Sequence, residues 1–179
     1  MRLRRTGLLA VLLALTALAA PPVAAQSKSS AEVVRALLAL HEEDLGGRLW
    51  THAELRGRIT LIDFWATWCA SSRREMPFLQ RARELYGAEF EVIGISLDKS
   101  SRRELRAWMR REGMDWPQIH ADGGFDDRLA EAFGVDRLPL NFLLDQRGRL
   151  RAMNVRGERL FVEIENLRLA PSERGVPER

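Results

Sequence analysis

Residues 64–77 read Phe64-Trp65-Ala66-Thr67-Trp68-Cys69-Ala70-Ser71-Ser72-Arg73-Arg74-Glu75-Met76-Pro77. The segment follows Ile59–Phe64, ITLIDF, a short apolar run rich in β-formers that reads as a central strand. It opens a helix expected from about Ser71 to Tyr86, with Pro77 inside it as a source of kinking. Cys69, the one cysteine of the chain, therefore stands where a strand gives way to a helix. A thiol at a helix start faces unpaired backbone N–H groups and the positive end of the helix dipole. Both favour the thiolate, so the pKa is expected below the free value of about 8.5. Arg73 or Arg74, if turned back toward the sulfur, would lower it further. The thiolate is the species that attacks disulfides.

Outward from this segment, strand and helix patterns alternate. Ala31–Glu43 suits a short amphipathic helix with Ser29 and Glu32 as a capping box. A Gly-Gly turn follows, and Thr51 with Glu54 repeats the capping pattern before Gly57. Glu91–Leu97 reads as a second buried strand, and Ser101 with Glu104 caps a helix that Gly113 ends. Trp116–His120 suits a short strand and Asp126–Phe133 a helix stopped by Gly134. Leu140–Leu144 and Arg149–Val155 suit a hairpin, and Glu158–Leu169 a last helix. The alternation predicts an α/β protein with a central mixed sheet covered by helices on both faces. No repeat or second domain is visible.

The quoted stretch resembles the active site FWATWC-x-x-C-(R/K)-x-E-x-P of TlpA/ResA-like thioredoxins. The resemblance runs from about Leu45 to Leu169 and takes in Val92–Asp98, VIGISLD, and Gly134–Leu150, GVDRLPLNFLLDQRGRL, on either side of a TlpA-type insertion in the middle. It implies a thioredoxin-like fold and an exported protein that exchanges disulfides, with protein or small-molecule disulfides and an external thiol reductant as partners. By resemblance, Cys69 is the attacking cysteine and Pro139 a cis-proline beside it. Leu138 would present its backbone to an extended substrate, with Trp68 shaping the surface next to the thiol. Glu75 corresponds to a glutamate that assists proton movement. The plainer readings are a turn proline at Pro139 and an acid favoured in a first helical turn at Glu75.

Ser72 departs from the pattern, for it stands where the second, resolving cysteine belongs. Resolution within one molecule proceeds at an effective concentration on the order of 10⁵ M or more in well-oriented cases, and a serine hydroxyl cannot supply it. Ala70-Ser71 and Leu140-Asn141 depart as well. Two functions follow as expectations: single-thiol exchange through Cys69 with an outside resolving thiol, or a non-catalytic module that keeps the surface for peptide binding. A peroxidatic site would carry Thr and Pro where Ala66 and Ile62 stand.

The ends of the chain bear on location. Arg2, Arg4 and Arg5, then the apolar Gly7–Ala20, then Val23-Ala24-Ala25 read as a secretory signal over residues 1–25, cut near Ala25. The apolar run is shorter than the roughly 20 residues of a membrane span. Residues 26–44 read as a linker and short helix, 45–170 as the domain, and 171–179 as a disordered tail. The expected compartment is periplasmic or otherwise extracytoplasmic. The formal charge of +3 equals the three arginines of the signal, so the remainder is neutral and no nucleic-acid partner is expected. A single cysteine allows no internal disulfide. His41, His52 and His120 lack ligand spacing, so neither metal nor cofactor is expected.

Overall fold

The computed structural model describes residues 28–169; the expected signal and the C-terminal tail lie outside the described residues. The order is α1 (Ser30–Leu38), β1 (His41–Glu43), β2 (Leu49–Thr51), β3 (Ile59–Trp65), α2 (Ala70–Tyr86), β4 (Phe90–Ser96), α3 (Arg102–Arg111), β5 (Gln118–His120), α4 (Arg128–Phe133), β6 (Leu140–Leu144), β7 (Leu150–Met153) and α5 (Arg159–Leu169). The main sheet has five strands in the order β5-β4-β3-β6-β7. β3, β4 and β5 run parallel, while β6 is antiparallel to β3 and β7 to β6.

The sheet is buried on both faces, which is why β3 and β4 read as nearly unbroken apolar runs. Successive side chains point to opposite faces. Ile62, Phe64, Ile93, Ile95 and Phe142 pack on the side of α1 and α4, with Phe133. Ile59, Leu61, Trp65 and Val92 pack on the other side against Met76 and Leu79 of α2, Leu105 of α3 and Leu160 of α5. Asp63 shares the parity of Leu61 and Trp65, so it faces the α2–α5 side.

The expected architecture holds, with local differences. His41–Glu43, read as the end of the first helix, instead forms β1, paired antiparallel with Leu49–Thr51. Helix α1 stops at Leu38, with Ala39 as its C-cap. The helix is also part of the domain rather than an appendage before Leu45, because Val33 and Leu37 are buried in the α4-side core. Capping boxes form at Ser29 and Ser101. At Thr51 none forms: the side chain makes no capping bond, and Glu54 pairs with Arg48 instead. The segment read as the insertion supplies α3 and the edge strand β5.

Strand β5 is locked to the sheet by a constraint on one glycine. The Gln118 side chain lies across Gly94 of β4, and its Oε1 accepts a hydrogen bond of 2.8 Å from the Trp65 indole N–H. A Cβ on residue 94 would fall 2.2–2.5 Å from the Gln118 amide atoms. Gln118 is only 1% exposed, so the side chain has little room to leave. Gly94→Ala should therefore break the Trp65 bond and destabilise by about 1–3 kcal/mol, read as a shift of the urea midpoint at constant m-value. In a Gln118→Ala background the same substitution should cost less; an equal cost in both backgrounds would refute the clash.

Candidate functional site

The register of β3 with β6 assembles the site. Phe64 pairs with Leu140, so the segment leaving β3 and the segment entering β6 meet at one end of these two inner strands. The first carries Thr67, Trp68 and Cys69, the second Arg137, Leu138 and Pro139. The outgoing turn is clamped by Asp98, a 3% exposed carboxylate at the end of β4. It accepts from the Thr67 N–H at 3.0 Å, the Thr67 hydroxyl at 2.5 Å and the Ser96 hydroxyl at 2.7 Å.

Cys69 is the N-cap of α2 and is 9% exposed. Its sulfur lies 3.1 Å from the Ser71 hydroxyl, which stands 3.3 Å from the Leu138 carbonyl. The Leu138–Pro139 peptide is cis. Thus the residue expected to attack and the proline expected beside it are brought together through Ser71. Burial pushes the thiol pKa up, but hydrogen bonding from the side chains and N–H groups of Ser71 and Ser72 outweighs it and leaves the thiol below its ordinary value. Arginine has no part in this. The Arg73 guanidinium turns to the Thr67 carbonyl at 3.1 Å.

Ser72 is 2% exposed, and its hydroxyl has no partner of good hydrogen-bond geometry among the described residues. It sits beside the sulfur as a donor that gains a strong partner only when the sulfur is charged. Trp68 is 57% exposed, with the Phe125 ring 6.1 Å from its own. These two line a shallow cavity of about 460 Å³ rimmed by Lys99 and Asp126.

Glu75 lies one turn further along α2. Its Oε2 accepts the Gly157 N–H at 2.8 Å, which ties α2 to the turn preceding α5. Beneath it is a residue that the sequence reading passed over. Asp63 is 5% exposed and opposes Asn141 across the β3–β6 register. Burial pushes its carboxyl up to about 7; the Arg156 guanidinium and the Asn141 side chain oppose the rise, and Glu75 adds to it. Asn141 in turn donates to the Val155 carbonyl at 2.9 Å and accepts the Val155 N–H at 2.8 Å. Arg156 donates to the Pro139 carbonyl and to Asn154 Oδ1. A lone acid inside the apolar run ITLIDF was the available signal for Asp63. Asn141 is marked in the sequence only as part of the Leu140-Asn141 departure from the motif, and nothing local marks Arg156. Among the described residues no cluster of three or more His, Cys, Asp or Glu side chains could hold a metal.

The chain matches the AhpC/TSA family over residues 31–153, and it belongs to that family. It is 29% identical over 109 residues to the thiol-disulfide oxidoreductase ResA of Geobacillus thermodenitrificans, covering 60% of each chain. It is 26% identical over 123 residues to ResA of Bacillus thuringiensis, covering 68% of each. The first of these matches thus spans less than two thirds of that relative's length. The fold is thioredoxin-like. The thiol-disulfide oxidoreductase of Bacteroides fragilis superimposes with a TM-score of 0.63 at 26% identity, over 71% of this chain and 95% of that one.

Two measurements probe this geometry. From the ordinary carboxyl value of 3.8 up to about 7, the native chain keeps a proton on Asp63 that the unfolded chain releases. Stability should therefore fall as pH rises through that window and level off above it. Asp63→Asn should flatten the slope in urea titrations; an unchanged slope would assign the titration to another group. Separately, Ser71→Ala removes a hydroxyl from the sulfur and should raise the Cys69 pKa, because the thiolate loses a hydrogen-bond donor. The pH dependence of iodoacetamide alkylation reports it.

Proposed function

We propose that this protein is an exported thiol–disulfide exchange protein that works through Cys69 alone, with an outside thiol completing each turnover. The observation that carries the reading is the sulfur itself: a helix-capping thiol 3.1 Å from the Ser71 hydroxyl, with the Leu138–Pro139 cis peptide held by that same hydroxyl. The names of the curated relatives, thiol-disulfide oxidoreductases, support the exchange chemistry in this reading. The signal-like residues 1–25 support export. Among the described residues no helix is long and apolar enough to cross a membrane.

In this mechanism a substrate strand lies along Leu138–Pro139, with an apolar side chain against Trp68 and Phe125. The Cys69 thiolate attacks one sulfur of the substrate disulfide. The substrate S–S bond breaks, a Cys69–substrate disulfide forms, and the other substrate sulfur leaves as a thiolate that takes a proton from solvent. The attacking group needs no cofactor. The Ser71 and Ser72 hydroxyls hold the thiolate before attack. Glu75 serves chiefly to position α2 against the Gly157 turn. Asp63, poised near neutrality, is the buried proton-holding group beneath the site.

The chemistry stops at the mixed disulfide, because Ser72 cannot displace it. Wild-type protein treated with a disulfide-bonded peptide should accumulate a covalent adduct that Cys69→Ser abolishes, read by intact mass. Ser72→Cys should discharge that adduct at least about a hundredfold faster by closing an internal disulfide, given the high effective concentration of a neighbouring thiol. A wild-type chain that forms no adduct would leave the alternative of a non-catalytic peptide-binding module. In that case Cys69→Ser would also leave partner binding unchanged.

A further inference from the structure

A second cavity, of about 450 Å³, opens on the other side of the cis-proline loop, where Arg137 and Pro139 line it together with Lys28, Asp136, Met153 and Arg156. Its volume is that of a small-molecule site rather than of a protein surface. Its charge is one-sided, with three cations and one carboxylate. That carboxylate, Asp136, is already engaged by its neighbour Arg137 at 3.1 Å. Arg156 forms no ion pair with a carboxylate among the described residues, although its charge also acts on the buried Asp63. Its guanidinium is held in place by the carbonyls of Pro139 and Val155 and by Asn154 Oδ1. Such a group is ordered by neutral acceptors and keeps its positive charge, with N–H donors on Nε and Nη1 still uncommitted among the described residues. Pro139 lines the cavity, and the Leu138 carbonyl of the same cis peptide accepts from the Ser71 hydroxyl, which lies 3.1 Å from the Cys69 sulfur.

We propose that this cavity binds a small thiol bearing carboxylates, and that this molecule is the outside thiol that releases substrate from Cys69. The proposal rests on the single-thiol reading given above and names its missing reactant. The small thiolate attacks the Cys69 sulfur of the mixed disulfide. That S–S bond breaks, the substrate leaves as a thiolate and takes a proton, and Cys69 is left joined to the small molecule. A second equivalent of the same thiol attacks the small molecule's sulfur. Cys69 returns as a thiolate and the symmetric small disulfide is released. Two small thiols are oxidised and one substrate disulfide is reduced, so electrons balance. Lys28, Arg137 and Arg156 hold the carboxylates while the thiol reaches past Pro139 to the sulfur.

The test uses the chain lacking residues 1–25 and two small disulfides of opposite charge, glutathione disulfide and cystamine. Rates of Cys69 adduct formation are followed by intact mass, each divided by the iodoacetamide rate of the same variant. Wild type should favour the anionic disulfide. The double variant Lys28→Glu, Arg137→Glu spares Arg156 and its hold on the loop, and should lower the anionic-to-cationic ratio by about tenfold or more, as expected for reversing two charges at a binding site. A ratio near one in wild type, or one that the double variant leaves unchanged, would overturn the proposal. A second arm measures binding of unreactive S-methylglutathione by calorimetry. Saturable millimolar binding that the double variant weakens supports the site, and no binding overturns it. If S-methylglutathione binds but neither disulfide forms an adduct, the single-thiol reading fails while the carboxylate site stands.

Discussion

One hydroxyl joins the two halves of the site. Ser71 Oγ lies 3.1 Å from the Cys69 sulfur and 3.3 Å from the Leu138 carbonyl, bridging segments about seventy positions apart. This contact exists only because β3 and β6 are antiparallel neighbours in one register, with Phe64 against Leu140. A slip of one residue would turn the alternating side chains of a strand to the opposite face. It would carry Asn141 and Leu143 away from α2 and α5, and Pro139 away from the thiol. The buried apolar pairs on both faces hold that register. Packing of Phe64, Phe133 and Phe142 on one face is thus a condition for the chemistry beside the other.

Behind the sulfur is a buried polar layer whose parts depend on each other. Asn141 exchanges two hydrogen bonds with Val155, Arg156 reaches the Pro139 carbonyl, and Glu75 takes the Gly157 N–H. Each of these links draws the chain at 155–157 toward the cis-proline loop or toward α2. Asp63 lies in the same layer with its carboxyl held near neutrality by burial, and the Arg156 charge counters part of that cost. Buried polar groups are expensive when left without partners, so such a layer tolerates few alternative arrangements. That rigidity fixes the path of the loop that carries Leu138 and Pro139.

Much of this fold was legible in the sequence, because the signals were local. Apolar runs at 59–64 and 91–97 gave the two central strands, and Ser29 and Ser101 announced their helices through real capping boxes. The strand at His41–Glu43 was not legible. Its three residues carry no period of their own, and the pairing with Leu49–Thr51 that defines it lies beyond the helical pattern running into it. Thr51 and Glu54 carried the right letters, but Glu54 found Arg48 instead. At the site, Cys69 and Pro139 were legible from the motif. The Glu75–Gly157 contact spans 82 positions, and no local pattern encodes it. Asp63 was visible as a charge in an apolar run, but its titration follows from burial, which only the packed α2–α5 face creates.

Serine at position 72, where the resembled motif carries a second cysteine, changes the site less than the motif suggests. Serine at 72 keeps a small polar side chain in the same buried place, 2% exposed, with a hydroxyl that has no better partner than the sulfur. Replacement by an apolar residue would have removed a donor from the thiolate, and by a large one would have disturbed the start of α2. A hydroxyl does neither. It leaves the Cys69 thiol below its ordinary pKa, and under the proposed mechanism it lacks only the nucleophile that would clear the mixed disulfide. On the proposed single-thiol reading, such a site begins exchange and depends on an outside thiol to end it. On that reading access for an incoming thiol matters as much as the sulfur, and the aromatic cavity at Trp68 and Phe125 and the cationic cavity at Pro139 and Arg156 are the surfaces that would meet it.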